Sequence, residues 1–289
     1  MVFDTRLTAD EAEQAAIRGL KDELSSFEIP KQKSGPQLDD ELILLRFVRG
    51  YNLKVKDAAK AFGEMLEYRK ANQIDAAREA MYAAAAEGEE LAWPATGMPK
   101  FAPLVECTGE GLMRRIGKSM RGMPATLCLL HLYDVRKVIK AGLQALLVEL
   151  QQHQDEWWYV TLLTTSRRDG SMHARVDVVG AHDLGLFHFG VGEARCLMKV
   201  LEGSKHYPES SARIVSVGNG KALLTMYNAV IKPFMPAHTK EKIQVLGREI
   251  EKAANREAIG FDDATFAALL EMTGRNAGAP AAAEPAEIS

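Results

Sequence analysis

Two charged residues beside apolar segments are the strongest candidates for polar-ligand chemistry. Glu209 follows the pair Tyr207-Pro208, and Lys242 precedes the short apolar run 243–246. A charged group close to apolar surroundings persists only when it is paired. We therefore predict that Glu209 and Lys242 stabilise the polar head of a ligand, or each other.

A second chemical signal is the turn Gly218-Asn219-Gly220, which follows an apolar strand-like run. Glycines between a strand and a helix are typical of dinucleotide-binding loops. Here Leu223 occupies the position of the third glycine, so a plain turn is the favoured interpretation. A nucleotide-dependent enzyme built on this turn is the alternative function.

Metal and nucleophile chemistry have weaker support in the sequence. His182-Asp183 and His188 could ligate a metal, but loop histidines without a third partner are usually not ligands. The chain contains no Gly-x-Ser-x-Gly elbow of the hydrolase type. We therefore predict neither catalytic residues nor metal ligands, and expect a protein that is not an enzyme.

The composition limits the class of protein. The chain has 289 residues, 47% of them hydrophobic, and a net charge of −3, which argues against a dedicated nucleic-acid binder. Its three cysteines are odd in number and widely spaced, which indicates a reducing compartment rather than a disulfide framework. No secretory signal or membrane-spanning run is visible. We expect a cytoplasmic protein.

The first part of the chain has the periodicity of helices. Thr8 with Glu11 resembles a capping box for a helix over 8–26, and Asp39-Asp40 precedes a helix that ends near Gly50. Further helices are predicted at about 55–72 and 78–90. These segments predict a helical N-terminal subdomain, residues 1–92.

The remainder alternates strand-like and helical runs, which favours an α/β fold with a mostly parallel sheet. Strands are predicted at 112–116, 174–179 and 212–217, whereas 125–133 is ambiguous between strand and helix. Helices are predicted at 138–165, 193–201, 249–258 and 262–273. We assign residues 93–275 to this domain and 276–289, rich in Ala, Pro and Glu, to a disordered tail.

One predicted helix, from about Ala222 to Met235, has the features of a movable lid. Apolar residues recur along it at three- and four-residue spacing, and Pro233 lowers the cost of bending near its end. The same stripe also fits an ordinary core helix, which is the alternative interpretation. The residues assigned to this gate helix are Met226, Tyr227, Val230, Ile231 and Phe234.

Several motifs, in order along the chain, resemble the CRAL-TRIO family of lipid-binding proteins. They are the runs Leu44-Leu45-Arg46-Phe47-Val48-Arg49, Val176-Asp177-Val178-Val179-Gly180, Tyr207-Pro208-Glu209, Lys232-Pro233-Phe234 and Lys242-Ile243 with Leu246-Gly247. The resemblance covers roughly residues 8–250 and is greatest to the secretory-pathway phosphatidylinositol transfer proteins. It implies a small, mostly parallel sheet flanked by helices that enclose an apolar pocket.

The resemblance also implies roles for individual residues. Glu209 and Lys242 match the family's inositol-phosphate contacts, and Tyr51-Asn52 stand where the family usually has a basic pair. It further implies a bound lipid or lipophilic molecule such as a phospholipid, no other cofactor, transfer between membranes, transient contact with a membrane surface, and a monomer. Residues expected to line the pocket are Met172, Ala174, Val176, Val215 and Val217.

Two of these pocket residues depart from the family pattern. Met172 and Ala174 stand where the family has Ser and Thr, which hydrogen-bond the lipid phosphate. Neither side chain here can donate such a bond. We therefore expect weak or absent selectivity for phosphatidylinositol.

Overall fold

The computed structural model of the chain describes residues 3–85, 91–108, 113–129, 134–180, 190–218, 242–247 and 252–272. All structural statements below concern these residues. Among them, no helix combines the length and the apolar character that a membrane span requires.

The N-terminal part is helical, as predicted. Leu20, Phe47, Phe62 and Met65 are fully buried where its helices meet. The prediction of a capping box at Thr8 is wrong: Asp10 caps the first helix and exchanges hydrogen bonds with Glu13. The helices are α1 (Glu11–Leu24), α2 (Glu41–Gly50), α3 (Val55–Ala71) and α4 (Ile74–Ala83).

Helix α4 begins earlier than the alanine-rich pattern predicts, at Ile74 rather than near residue 78. Ile74, Ala77 and Met81 form its buried face, so the residues that anchor the helix precede most of the alanines. Residues 86–90 lie outside the described residues. Short helices follow, α5 (Pro94–Gly97), a 3-10 turn (Pro99–Phe101) and α6 (Ala102–Thr108).

The centre of the molecule is a mixed five-stranded sheet whose spatial order equals the chain order. The first two strands pair antiparallel, and every later pair is parallel, so the prediction of a mostly parallel sheet in an α/β fold is confirmed. The ambiguous segment 125–133 contains a strand. The strands are β1 (Arg114–Lys118), β2 (Pro124–Leu129), β3 (Arg175–Gly180), β4 (Ser211–Val217) and β5 (Ile243–Val245).

Helices cover both faces of this sheet. Cys128 and Val179 face an apolar cluster that includes the buried Trp157 and Trp158. The helices and turns of this part are α7 (Val135–Lys140), α8 (Gln144–Asp169), α9 (Val191–Leu201), a 3-10 turn (Glu202–His206), α10 (Ala253–Ile259) and α11 (Asp263–Met272).

Helix α8 is buried along most of its length, since Leu147, Tyr159 and Leu163 are all inaccessible to solvent. It ends at Asp169, and Gly170 follows with φ +64°, a left-handed conformation that favours glycine. Because α8 contacts both the N-terminal helices and the sheet side, its polar residues lie at the centre of the molecule.

Candidate functional site

The structure brings Glu209 and Lys242 together as an ion pair. The Lys242 ammonium donates to Glu209 Oε1 at 2.6 Å. The Glu209 side chain is 15% exposed and the Lys242 side chain is 20% exposed. Glu209 lies just before β4 and Lys242 just before β5, and these strands are parallel neighbours. The pair therefore lies where two neighbouring strands begin.

The backbone at Glu209 is held in an unusual conformation. Its φ is +56°, in the left-handed region that few non-glycine residues adopt. The buried Arg46 guanidinium, from α2, donates to the Glu209 carbonyl oxygen at 2.5 Å and to the His173 carbonyl oxygen at 2.6 Å. Burial lowers the pKa of Arg46 to about 10, which leaves it charged at neutral pH. One side chain thus ties α2 to the residues that precede β3 and β4.

The C-terminal end of α2 lies against the corner formed by Tyr207-Pro208-Glu209. A Cβ added at Gly50 would be 2.9 Å from Pro208 Cβ, so the close approach requires glycine. Tyr51, predicted to contact the lipid head, packs against the apolar core of the N-terminal helices. Asn52 is exposed, with φ +52°. Contact of Tyr51 or Asn52 with a ligand stays a prediction.

The corner Tyr207-Pro208-Glu209 is held in place by a buried network of charged side chains. The Tyr207 hydroxyl donates to Glu156 Oε2 at 3.0 Å. Arg69 and Arg78 also donate to Glu156, at 2.7 Å and 2.5 Å, and all three charged side chains are at most 1% exposed. Burial would raise the pKa of Glu156, but the two guanidinium groups outweigh it and lower the pKa to about 2.

This network was not predicted from the sequence, although the network fixes the corner that carries Glu209. Its members are far apart in the chain and join only in the tertiary structure. The available signal was the acidic pair Asp155-Glu156 immediately before Trp157-Trp158 in a helix with no polar face. A carboxylate in such a helix must have a buried cationic partner.

A second buried cluster lies at the start of β3 and β4. Arg175 pairs with Asp177 at 2.8 Å. Thr126 and Ser211 both donate hydroxyl hydrogen bonds of 2.5 Å to the Asp177 carboxylate. This carboxylate therefore joins β2, β3 and β4 on the face opposite Val176 and Val178.

Asp155 lies beside this cluster with fewer partners. Its Oδ1 accepts a hydrogen bond from Gln151 at 3.0 Å and lies 4.0 Å from Arg175, while its Oδ2 has no hydrogen-bond partner among the described residues. Burial raises the pKa of Asp155 to about 6, against the opposing effect of Arg175. Asp155 therefore changes charge closer to neutral pH than an ordinary aspartate does.

The residues predicted to line a pocket fall in two separate clusters. Met172 packs in the N-terminal core, and its sulfur is 3.4 Å from Arg49 Nη1. Ala174 is completely buried. The three valines Val176, Val215 and Val217 pack against Ile259, Phe261, Phe266, Leu269 and Leu270, from α10, α11 and the residues between them. Their place in a lipid pocket stays a prediction.

The predicted gate helix lies outside the described residues, including Met226, Tyr227, Val230, Ile231 and Phe234. Asn219 and Gly220 of the glycine turn also lie outside them. Gly218 is described: its φ is +77°, and its N–H donates to the Gly247 carbonyl oxygen at 3.0 Å. That N–H is therefore already used within the protein.

The described residues also form a cleft of about 620 Å³ between the N-terminal segment, α1 and α2. Leu7, Ile17 and Leu45 contribute to its apolar floor. Four of its charged residues form two ion pairs, Lys21 with Glu41 at 3.1 Å and Arg167 with Asp40. Neither Glu209 nor Lys242 lines it, so this cleft is separate from the site considered above.

Comparison with known proteins finds matches among solved structures. No family model matches the chain, and no curated protein matches it. Among solved structures, the crystal structure of Sfh5 matches 82% of this chain and 78% of that chain, at 15% sequence identity and a TM-score of 0.45.

Proposed function

We propose that the protein binds one lipid or lipophilic molecule in an apolar pocket and is not an enzyme. The observation that carries the proposal is the Glu209–Lys242 ion pair, held where two parallel strands begin by a corner that Arg46 and Tyr207 fix from inside. The CRAL-TRIO resemblance of the motifs in this corner supports the same assignment.

The pair has the chemistry that a lipid headgroup needs. A lysine ammonium donates to phosphate or carbonyl oxygens, and a carboxylate accepts from hydroxyl groups. The two charges satisfy each other at 2.6 Å. A polar head that inserts between them would exchange one ion pair for two new contacts, so neither charge would be left unpaired.

We further propose that the segment from Ala222 to Met235 is the gate over the pocket, and that the protein works as a cytoplasmic monomer that visits membranes to exchange its ligand. The amphipathic pattern of this segment and Pro233 support the proposal. Hydrogen exchange with and without anionic vesicles tests it, since a gate should lose protection across 222–242 only when vesicles are bound.

The ligand itself is tested by extracting purified protein with organic solvent and analysing the extract by mass spectrometry. We expect a stoichiometric lipid from the wild type and a loss of most of it from Lys242→Ala. Lys205→Ala is the matched control, because Lys205 is exposed and pairs with the nearby Glu202 at 3.3 Å rather than with Glu209. A bound dinucleotide would favour an enzyme at the glycine turn, and equal lipid content in Lys242→Ala would contradict the headgroup assignment.

A further inference from the structure

Helix α9 carries large apolar side chains on its outer face. Val191 is 78% exposed, Met198 72% and Leu201 54%, whereas Cys196 and Val200 on the opposite face are buried. A surface helix of a globular protein normally has a polar outer face. Helix α9 instead exposes these three apolar side chains, which take no part in the described core clusters.

The three exposed side chains form one stripe. Val191 and Met198 are seven residues apart and therefore lie on the same side of the helix, and Leu201 follows one turn later. Arg195 lies within this stripe and Lys199 at its edge, both exposed. Apolar and basic side chains thus share the outer surface of α9.

The neighbouring elements add positive charge to this surface. Helix α7 packs against α9 and contributes Arg136 and Lys140, and Lys205 follows in the 3-10 turn. Of the nearby acidic residues, Glu193 pairs with Arg136 at 2.9 Å and Glu202 with Lys205 at 3.3 Å, while Asp134 caps α7. The surface therefore has an excess of cations, although the whole chain has a net charge of −3.

This combination fits a lipid surface better than a protein surface. A stable protein–protein interface buries more than about 1,000 Å² in total, which a stripe of three side chains does not supply. Binding to an anionic bilayer requires only a few apolar side chains in the headgroup layer and basic residues at its surface. The basic residues around the stripe are complementary to the negative charge of such a bilayer.

We propose that the outer face of α9, with the basic residues of α7 beside it, is the surface by which the protein docks on anionic membranes. Val191, Met198 and Leu201 enter the headgroup layer, while Arg195 and Lys199 contact lipid phosphates. The inference rests on the proposed lipid-binding function and adds a docking site separate from the gate segment.

Co-sedimentation with vesicles tests the proposal. The probes are vesicles of phosphatidylcholine with phosphatidylserine, and vesicles of phosphatidylcholine alone. We expect the wild type to bind the anionic vesicles and Met198→Glu to bind them at least tenfold more weakly, because a charge replaces an inserting side chain. Met120→Glu is the matched control, since Met120 is 63% exposed and lies in the turn between β1 and β2, and it should bind like the wild type.

Two further measurements separate this proposal from its rivals. Thermal unfolding of Met198→Glu should match the wild type, because the replaced side chain lies in solvent. Its extracted lipid should also be unchanged, since docking and pocket are separate; loss of vesicle binding with retained lipid supports the proposal. Extraction that yields no lipid from any variant, with docking still lost in Met198→Glu, would overturn the lipid-binding function and support the docking surface.

Three results would overturn the docking surface. The first is equal vesicle binding by Met198→Glu and the wild type, and the second is no binding of anionic vesicles by the wild type. The third is a wild type that is multimeric in light scattering and becomes monomeric in Met198→Glu with vesicle binding unchanged, which would assign the stripe to a protein contact.

Discussion

Glu156 is the residue on which the site's geometry depends most directly. Its carboxylate compensates Arg69 and Arg78 and also orients Tyr207, the first residue of the corner that ends at Glu209. Replacement of a whole buried ion network by apolar residues can be neutral, whereas removal of a single partner leaves an uncompensated charge. Stability and site geometry therefore depend on the same carboxylate.

Glu156→Gln should lower the free energy of unfolding by about 3–5 kcal/mol, because the buried Arg78 then loses its carboxylate partner and the buried Arg69 keeps only Asp75. Chemical denaturation of the purified protein measures the change. The control is Glu149→Gln on the same helix, where the carboxylate is 44% exposed and pairs with Lys100 at 2.8 Å. A change within about 1 kcal/mol is expected there, and equal effects in the two variants would contradict the role given to Glu156.

At the scale of single elements, helix α1 has two possible N-terminal capping signals in its sequence. Thr8 with Glu11 and Asp10 with Glu13 both fit the capping pattern, and the structure uses the second. Starting at Asp10 lets Glu13 also accept from the Arg49 guanidinium at 2.7 Å, a contact with α2. The tertiary contact therefore decides between two locally equivalent starts.

Asp10→Ala should destabilise the protein by about 1 kcal/mol, the usual loss for an N-cap, and Thr8→Ala by a few tenths at most. Thr8 is exposed and precedes the helix, which makes it the matched control. Differential scanning calorimetry of the two variants distinguishes them. A larger effect at Thr8 would restore the start that the sequence suggested.

Many of the strands and helices could be predicted from local pattern, because their residues repeat at fixed spacing. The run 212–217 is β-branched and apolar, and it forms β4 as expected. The single helix predicted over 138–165 is instead two helices, α7 and α8, with a break at 141–143. The partners of Arg69 and Arg78 could not be predicted in this way, since Glu156 is 87 and 78 residues away. Local spacing specifies an element's exposed and buried sides but not which distant charge it will contact.

At the scale of the whole molecule, buried groups of opposite effect set the pH dependence of stability. Burial lowers the pKa of His153 and of His206 to about 4, so between pH 4 and 6.5 the unfolded state binds more protons and stability rises with pH. For Asp155, whose pKa is raised to about 6, the folded state binds more protons between about pH 4 and 6, and stability falls with rising pH. The two effects partly cancel.

Asp155→Asn should remove the fall in stability that Asp155 causes as the pH rises. The gain in unfolding free energy between about pH 4.5 and about pH 7 should then be larger than in the wild type, by roughly 1–3 kcal/mol. Denaturation curves at both pH values measure it, with Asp22→Asn on the exposed side of α1 as the control that should follow the wild type. A gain equal to or smaller than that of the wild type would show that the pKa of Asp155 is not raised in the folded state.

The distance along the chain between Arg78 and Glu156 has a consequence for biosynthesis. Ribosomes add about 5–20 residues per second, so the carboxylate follows the guanidinium by roughly 4–16 s. During that interval the N-terminal helices are already synthesised, but the cation that is buried in the finished protein still lacks its counter-charge. The nascent N-terminal helices therefore complete their packing only after α8 has left the ribosome, and early chaperone contact with this part of the chain is to be expected.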